Sequence, residues 1–198
     1  MYDIVIIGGG IAGLYCAKEL SKTHKILLCD NRNYLGGRII TNKRPQYEIG
    51  AARFNNSHIL LKELIKQYNL PTYELSKEYD YISKTTKIIT PNINLVIDAF
   101  INTIVKKSKS FTKKQLINMT FKEFCKLHFT TSEVGKIISY FGYTSEFEVM
   151  NAYDALRSFN VDFNGKDNYY VVVGGLYQLC NKIGETILQQ GGNISLNT

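Results

Sequence analysis

Two glycine clusters near the start of the chain, Gly8-Gly9-Gly10-Ile11-Ala12-Gly13 and Gly36-Gly37-Arg38, constrain the fold more than any other feature, because an acid, Asp30, stands between them. The strand-like run Tyr2-Asp3-Ile4-Val5-Ile6-Ile7 enters the first cluster, and a stretch bearing alanine and leucine, Ile11 to Leu20, leaves it. Strand, tight turn and helix in that order make a cradle for a pyrophosphate. Gly8 permits the turn, Gly10 admits phosphate close to the backbone, and Gly13 lets helix and strand approach each other. Free N–H groups at the helix start, with the positive end of its dipole, favour an anion there. A second apolar run, Lys25-Ile26-Leu27-Leu28-Cys29, ends at Asp30. The spacing from the glycines is the roughly 20 residues at which a carboxylate meets ribose hydroxyls. A bare G-x-G-x-x-G also arises in ordinary glycine turns, but here strand, helix, second strand and acid all agree with a βαβ unit.

The segment Asp30-Asn31-Arg32-Asn33-Tyr34-Leu35-Gly36-Gly37-Arg38-Ile39 resembles the stretch after the second strand in the flavin-containing amine oxidase family, the monoamine, polyamine and L-amino-acid oxidases. There the arginine after the glycine pair lies near the FAD pyrophosphate, as suits a fixed guanidinium facing phosphate oxygens. The resemblance implies that role for Arg38, with Arg32 as a second candidate and Asn31 beside them. The family usually has Glu where this chain has Asp30, so the ribose contact is expected to be longer or bridged by water.

Tyr47-Glu48-Ile49-Gly50-Ala51-Ala52-Arg53-Phe54 resembles the family's turn in which small residues bring the backbone against the flavin. Its form is similar to the L-amino-acid oxidase version, in which an arginine pairs with the substrate carboxylate. Carried over, that arginine is Arg53, and Gly50, Ala51 and Ala52 join the cofactor contacts. A guanidinium suits a carboxylate through two parallel hydrogen bonds. Arg53 as a surface residue or a further pyrophosphate contact remains open.

The resemblance continues in Phe121–Phe124, Ile137–Tyr143 and Glu146–Ala152, which are similar to the helical substrate domain, and in Val172–Leu176 and Gly191–Thr198, which are similar to the return to the FAD domain. The expected fold class is α/β: a Rossmann-like FAD-binding βαβ domain with a mainly helical insertion. The expected division is residues 1–75 for the FAD-binding segment, 76–165 for the insertion and 166–198 for the return. Family members are considerably longer and place further strands and much of the substrate cavity toward the C-terminus. The resemblance therefore implies a fragment, one half of a split enzyme or a degenerate relative.

The implied activity is FAD-dependent oxidation of an amine or L-amino acid by hydride transfer to flavin N5. An imine then forms, oxygen accepts the electrons and hydrogen peroxide is released. A desaturase or porphyrinogen-type oxidase shares the same cofactor architecture, and a noncatalytic FAD-binding module is the alternative outside enzymes. NAD alone explains the first fingerprint but leaves Gly36-Gly37-Arg38 and Gly50-Ala51-Ala52-Arg53 without a reason.

A chain of 198 residues with 44% hydrophobic content and 3 prolines supports a real core. No apolar run approaches the roughly 18 residues of a membrane span, and Met1 runs directly into the first strand rather than a signal peptide. Cys16, Cys29, Cys125 and Cys180 lack metal-ligand or C-x-x-C spacing, so buried reduced thiols and a cytoplasmic location are expected. The net charge of +7 peaks at Lys106-Lys107-Ser108-Lys109 and Lys113-Lys114. Without an accompanying nucleic-acid module this is expected to be a solvated helix end, and no nucleic-acid partner follows. His24, His58 and His128 are too scattered for a metal triad and receive no catalytic role.

Apolar spacing at Ile59, Leu60, Leu64, Ile65 and Tyr68 predicts a helix with Ser57 as N-cap, ended by Asn69-Leu70-Pro71. Tyr79–Ser83 and Lys87–Thr90 are expected to pair as short strands, and Asn94–Lys107 to be helical. Thr130 and Glu133 have capping-box spacing. Most of 91–160 is expected to be helical, with Phe141 and Tyr143 in its core.

Overall fold

The computed structural model describes residues 1–76, 80–83, 85, 89–162 and 168–198. They form two compact units, one of Met1–Leu75 with Tyr169–Thr198, the other of Ser76–Asn168. In the first unit β1 (Ile4–Ile7), α1 (Ile11–Leu20) and β2 (Ile26–Asp30) make the expected βαβ opening. A hairpin of β3 (Thr41–Lys43) and β4 (Gln46–Glu48) follows, then β5 (Phe54–Asn55), α2 (Ile59–Gln67) and β6 (Thr72–Glu74). The second unit runs through β7 (Tyr81–Ile82), β8 (Ile89–Thr90), α3 (Ile93–Ser108), α4 (Lys113–Ile117), α5 (Phe121–Lys126), α6 (Thr131–Phe141), α7 (Thr144–Glu148) and α8 (Ala152–Asp162). The chain returns to the first unit with β9 (Tyr169–Val172), α9 (Tyr177–Gln189) and β10 (Asn193–Leu196).

β1, β2 and β10 form a parallel sheet in that order, with Ile4 opposite Ile26, Ile7 opposite Cys29, and Leu196 opposite Asp30. Alternation along the strands sends Ile4, Ile6, Ile26 and Leu28 into one core with Leu14 and Ala17 of α1 and Leu179, Ile183 and Ile187 of α9. The opposite face carries Val5 and Ile7, which are 55% and 90% exposed. Parallel sheets are ordinarily covered on both faces. Among the described residues no strand pairs with the outer edge of β1.

β5, β9 and β6 form an antiparallel sheet, and Leu75 N–H donates to Tyr169 O at 2.8 Å, so the two points where the chain leaves and re-enters this unit are neighbours. That pairing lets a long insertion leave the nucleotide fold undisturbed. The helix predicted from Ser57 is α2, but Ser57 does not cap it. Its hydroxyl donates to Asn55 Oδ1 at 2.6 Å, and the helix begins after His58 with no side-chain cap. The far end closes with Asn69 in the left-handed region, φ 50°, ahead of Pro71.

In the second unit, Phe121, Phe124, Phe147 and Phe159 are fully buried at the centre of a helical core. Thr130 and Glu133 form the predicted capping box on α6, and Thr112/Gln115 and Thr120/Glu123 make the same reciprocal pair on α4 and α5. β7 pairs antiparallel with β8, as the sequence suggested; Tyr79 and Lys87 lie outside the described residues. Phe141 is in the core, whereas Tyr143 is exposed and only rests its ring edge on Phe141.

The expectation of buried thiols holds for Cys125 and Cys180 and fails for Cys16 and Cys29. Cys16 falls between Leu14 and Ala17, off the inward stripe of α1, and Cys29 lies half-buried on the sheet face opposite Ile26 and Leu28. Burial pushes the Cys125 and Cys180 thiols up to about 12. Among the described residues no helix is long and apolar enough to cross a membrane.

Two glycines in helices meet opposite surroundings. A Cβ on Gly13 would sit 1.9 Å from Gly8 O, whereas one on Gly135 in α6 would meet no atom within 4 Å. Gly13→Ala is expected to cost at least ~2 kcal/mol through overpacking, and Gly135→Ala to stabilise by up to ~1 kcal/mol through helix propensity. Urea unfolding of the two variants checks both signs.

Candidate functional site

Gly8 has φ +106° and donates its N–H to Cys29 O at 2.7 Å, so the turn out of β1 is pinned to the end of β2. α1 starts at Ile11 behind Gly10, with no side-chain cap and no acid in its first turn. Its first N–H groups have no side-chain acceptor, and no acid of the helix's own first turn competes for the dipole. A Cβ added to Gly10 would meet no protein atom within 4 Å, so the space before the helix is not taken by the chain.

Asp30 is at the expected place but engaged differently. One carboxylate oxygen accepts from Gly9 N–H at 2.6 Å and the other from Arg32 N–H at 2.8 Å, and the residue is only 9% exposed. The side chain, one methylene shorter than Glu, reaches back to the loop and locks it; only the remaining lone pairs face the cleft. The Arg32 and Gly9 N–H bonds, outweighing desolvation, hold this carboxyl below its ordinary range.

The second glycine cluster closes onto the first. Gly36 N–H donates to Gly9 O at 2.8 Å, and a Cβ on Gly37 would lie 3.3 Å from Gly10 Cα. Gly36 and Gly37 both have positive φ, +111° and +61°. Arg32 braces this loop: its Nη1 donates to Gly37 O at 2.8 Å and Tyr34 Oη at 3.0 Å. Arg38 is exposed and borders the cleft, and its guanidinium has no hydrogen-bond or ion-pair partner among the described residues. Of the two arginines, the structure commits Arg32 to the loop and leaves Arg38 available.

The third glycine site is spent on the protein itself. A Cβ on Gly50 would lie 1.8 Å from Arg38 O, so this glycine permits backbone-to-backbone contact. Ile49 N–H donates to Ile40 O at 2.8 Å and Ala51 N–H to Arg38 O at 3.1 Å, extending the β3–β4 hairpin toward the loop. Arg53 borders the cleft with its guanidinium carbon 4.7 Å from the Tyr169 ring centroid.

These pieces enclose a cleft of about 1170 Å³ within the first unit. Gly10, Ile11, Ala12, Asp30, Asn31 and Arg32 line it, as do Gly36, Gly37, Arg38, Gly50, Ala51 and Arg53. Gly8, Gly13 and Ala52 do not: the first two shape the turn behind it. Sequence reasoning missed Tyr15, one helical turn past Ile11, and the α2 wall of Leu60, Leu61 and Leu64. Leu60 and Leu64 were visible only as an apolar stripe. His58, given no catalytic role, also borders the cleft, and among the described residues no three His, Cys, Asp or Glu groups gather as a metal site.

Residues 6–68 match the NAD(P)-binding Rossmann-like domain family. The chain is 36% identical over 80 residues to flavin-containing amine oxidase A of Equus caballus and 35% identical over 82 residues to the L-amino-acid oxidase of Mus musculus. Those matches cover 38% and 39% of this chain but only 15% and 13% of the relatives. In three dimensions 99% of the chain superposes on 50% of a putrescine oxidase variant, with TM-score 0.71 at 19% identity. The fold is a Rossmann-like dinucleotide-binding domain with a helical insertion. Over those 80 and 82 residues the chain is related in sequence to flavin-containing amine and L-amino-acid oxidases.

Because Asp30 is held below its ordinary pKa, its stabilisation is fully present above the unfolded-state value and is lost as pH falls through the lowered folded value. Asp30→Asn is expected to cost about 1–3 kcal/mol at neutral pH, since the amide NH₂ must face an N–H donor. The gap from wild type should close in acid, below the ordinary aspartate range. Urea unfolding across a pH series measures it.

Proposed function

We propose that this chain binds FAD along the opening βαβ unit and acts as the dinucleotide-binding part of an enzyme that oxidises an amine or an L-amino acid. The observation that carries this is the meeting of the two glycine clusters at an uncapped helix start, with an unpartnered Arg38 beside it. The N–H groups of the first turn of α1 hold the diphosphate, and Arg38 neutralises its charge. Asp30 shapes the loop and offers its remaining lone pairs to ribose, while Asn31 borders the same end. Gly50, Ala51 and their neighbours form the wall along which the rest of the dinucleotide lies. A nicotinamide dinucleotide would use the βαβ unit equally but gives no role to this wall. FAD, when bound, supplies a hydride acceptor for the carbon beside the amine, with oxygen as the final electron acceptor and hydrogen peroxide as product. Arg53, steadied on Tyr169, pairs with the carboxylate of an amino-acid substrate and fixes its orientation. A desaturase-type or porphyrinogen-type substrate would not call on that arginine.

The exposed face of the parallel sheet favours one refinement. Val5 and Ile7 stand uncovered beside an edge of β1 that pairs with no strand among the described residues, and the chain spans about half of the putrescine oxidase it superposes on. On this reading the chain supplies dinucleotide binding, and turnover calls on a partner surface that covers that face.

Purified protein is expected to take up one FAD and turn yellow, and Arg38→Ala to weaken FAD binding roughly ten- to hundredfold by loss of a charge-assisted contact. Arg53→Ala is expected to leave FAD affinity within about threefold while weakening at least about tenfold the binding of amino acid, read as its perturbation of the bound-flavin spectrum. Calorimetry and flavin absorbance titrations read both effects. A colourless protein that cannot take up FAD overturns the assignment.

A further inference from the structure

Glu48 carries a carboxylate that joins two elements far apart in sequence. One oxygen accepts from Thr41 Oγ1 at 2.6 Å across the β3–β4 hairpin, and the other accepts from Leu176 N–H at 2.7 Å at the start of α9. Thr41 Oγ1 also accepts from Tyr177 N–H at 3.4 Å, and Lys43 Nζ lies 5.1 Å from the Tyr177 ring centroid. Gly175, φ +105°, makes the closeness possible: a Cβ there would lie 2.4 Å from Thr41 Cγ2. The elements joined are unequal. β3 and β4 pair only with each other among the described residues, and an isolated two-stranded hairpin is marginal in water. α9 is anchored by Leu179, Ile183 and Ile187, all fully buried. Its first N–H groups need acceptors, and a carboxylate is favoured there by hydrogen bonding and by the helix dipole.

We propose that Glu48 is a positioning residue: by clasping the hairpin to α9 it sets the cleft wall of Ile49, Gly50 and Ala51 for the half of the dinucleotide beyond ADP. This rests on the FAD reading above. Glu48 immediately precedes that wall, whereas none of its hydrogen bonds reaches the βαβ unit. Loss of the clasp thus frees the hairpin while leaving the pyrophosphate cradle built. The ligand halves separate accordingly: ADP needs only the cradle, FAD needs cradle and wall.

The test compares ADP and FAD affinities by calorimetry, with the fluorescence of bound flavin as a second signal. Glu48→Ala is expected to weaken FAD binding at least about tenfold, since two hydrogen bonds to a charged group are lost, and to leave bound flavin more fluorescent. ADP affinity should fall by no more than about threefold, because the glycine turn and Asp30 are untouched and only Arg38, whose carbonyl accepts from Ala51 N–H, adjoins the hairpin. Glu48→Gln should restore FAD affinity to within about threefold, since the amide oxygen accepts from Leu176 N–H and its NH₂ donates to Thr41 Oγ1. Should Glu48→Ala not fold, Thr41→Val removes one side of the clasp and is expected to shift FAD affinity alone. Equal losses of ADP and FAD, or unchanged FAD affinity in both Glu48→Ala and Thr41→Val, overturn the clasp. Wild-type protein that binds ADP but not FAD overturns the FAD reading and the clasp with it.

Discussion

Backbone meeting backbone where no side chain intervenes is the contact on which the nucleotide unit depends. Gly13 closes against Gly8 O, Gly36 N–H bonds Gly9 O, and Gly50 lies against Arg38 O. A Cβ at Gly13 or Gly50 would intrude to less than 2 Å. Each contact brings two backbone segments closer than any side chain would allow, and that closeness fixes the loops that border the cleft.

Asp30 shows how the same loop is kept from collapsing or opening. A carboxylate that accepts two backbone N–H bonds satisfies buried donors that would otherwise cost free energy. Its charge is stabilised by those donors, and the lowered pKa is the same fact seen from the titration side. Arg32 does comparable work from outside by bonding Gly37 O, while the Arg38 guanidinium stands at the cleft without a partner among the described residues. The helical unit rests on a different principle. Its stability lies in a centre of interlocking phenylalanines with helix ends closed by Thr–Glu and Thr–Gln boxes.

Much of the fold was legible because the signals are local. Apolar runs mark β1 and β2, periodicity near 3.6 marks α2, and capping residues announce α6 before any tertiary contact exists. An error arose where one residue type serves two ends: Ser57 has N-cap chemistry but spends its hydroxyl on Asn55. Cys16 and Tyr143 were assigned inward from composition, though the face each occupies points out.

From the amino-acid order alone came the βαβ opening and the acid after β2, while resemblance to a family supplied the helical insertion and the candidate residues around a dinucleotide. The first two follow from backbone freedom at glycine and from apolar runs, both encoded within a few neighbouring residues. Tertiary structure alone decided which arginine is free, what Asp30 bonds, and that α2 and Leu176 complete the cleft. Those outcomes depend on which groups meet across many intervening residues, and an unpaired donor or acceptor takes the partner that the packed chain brings within reach.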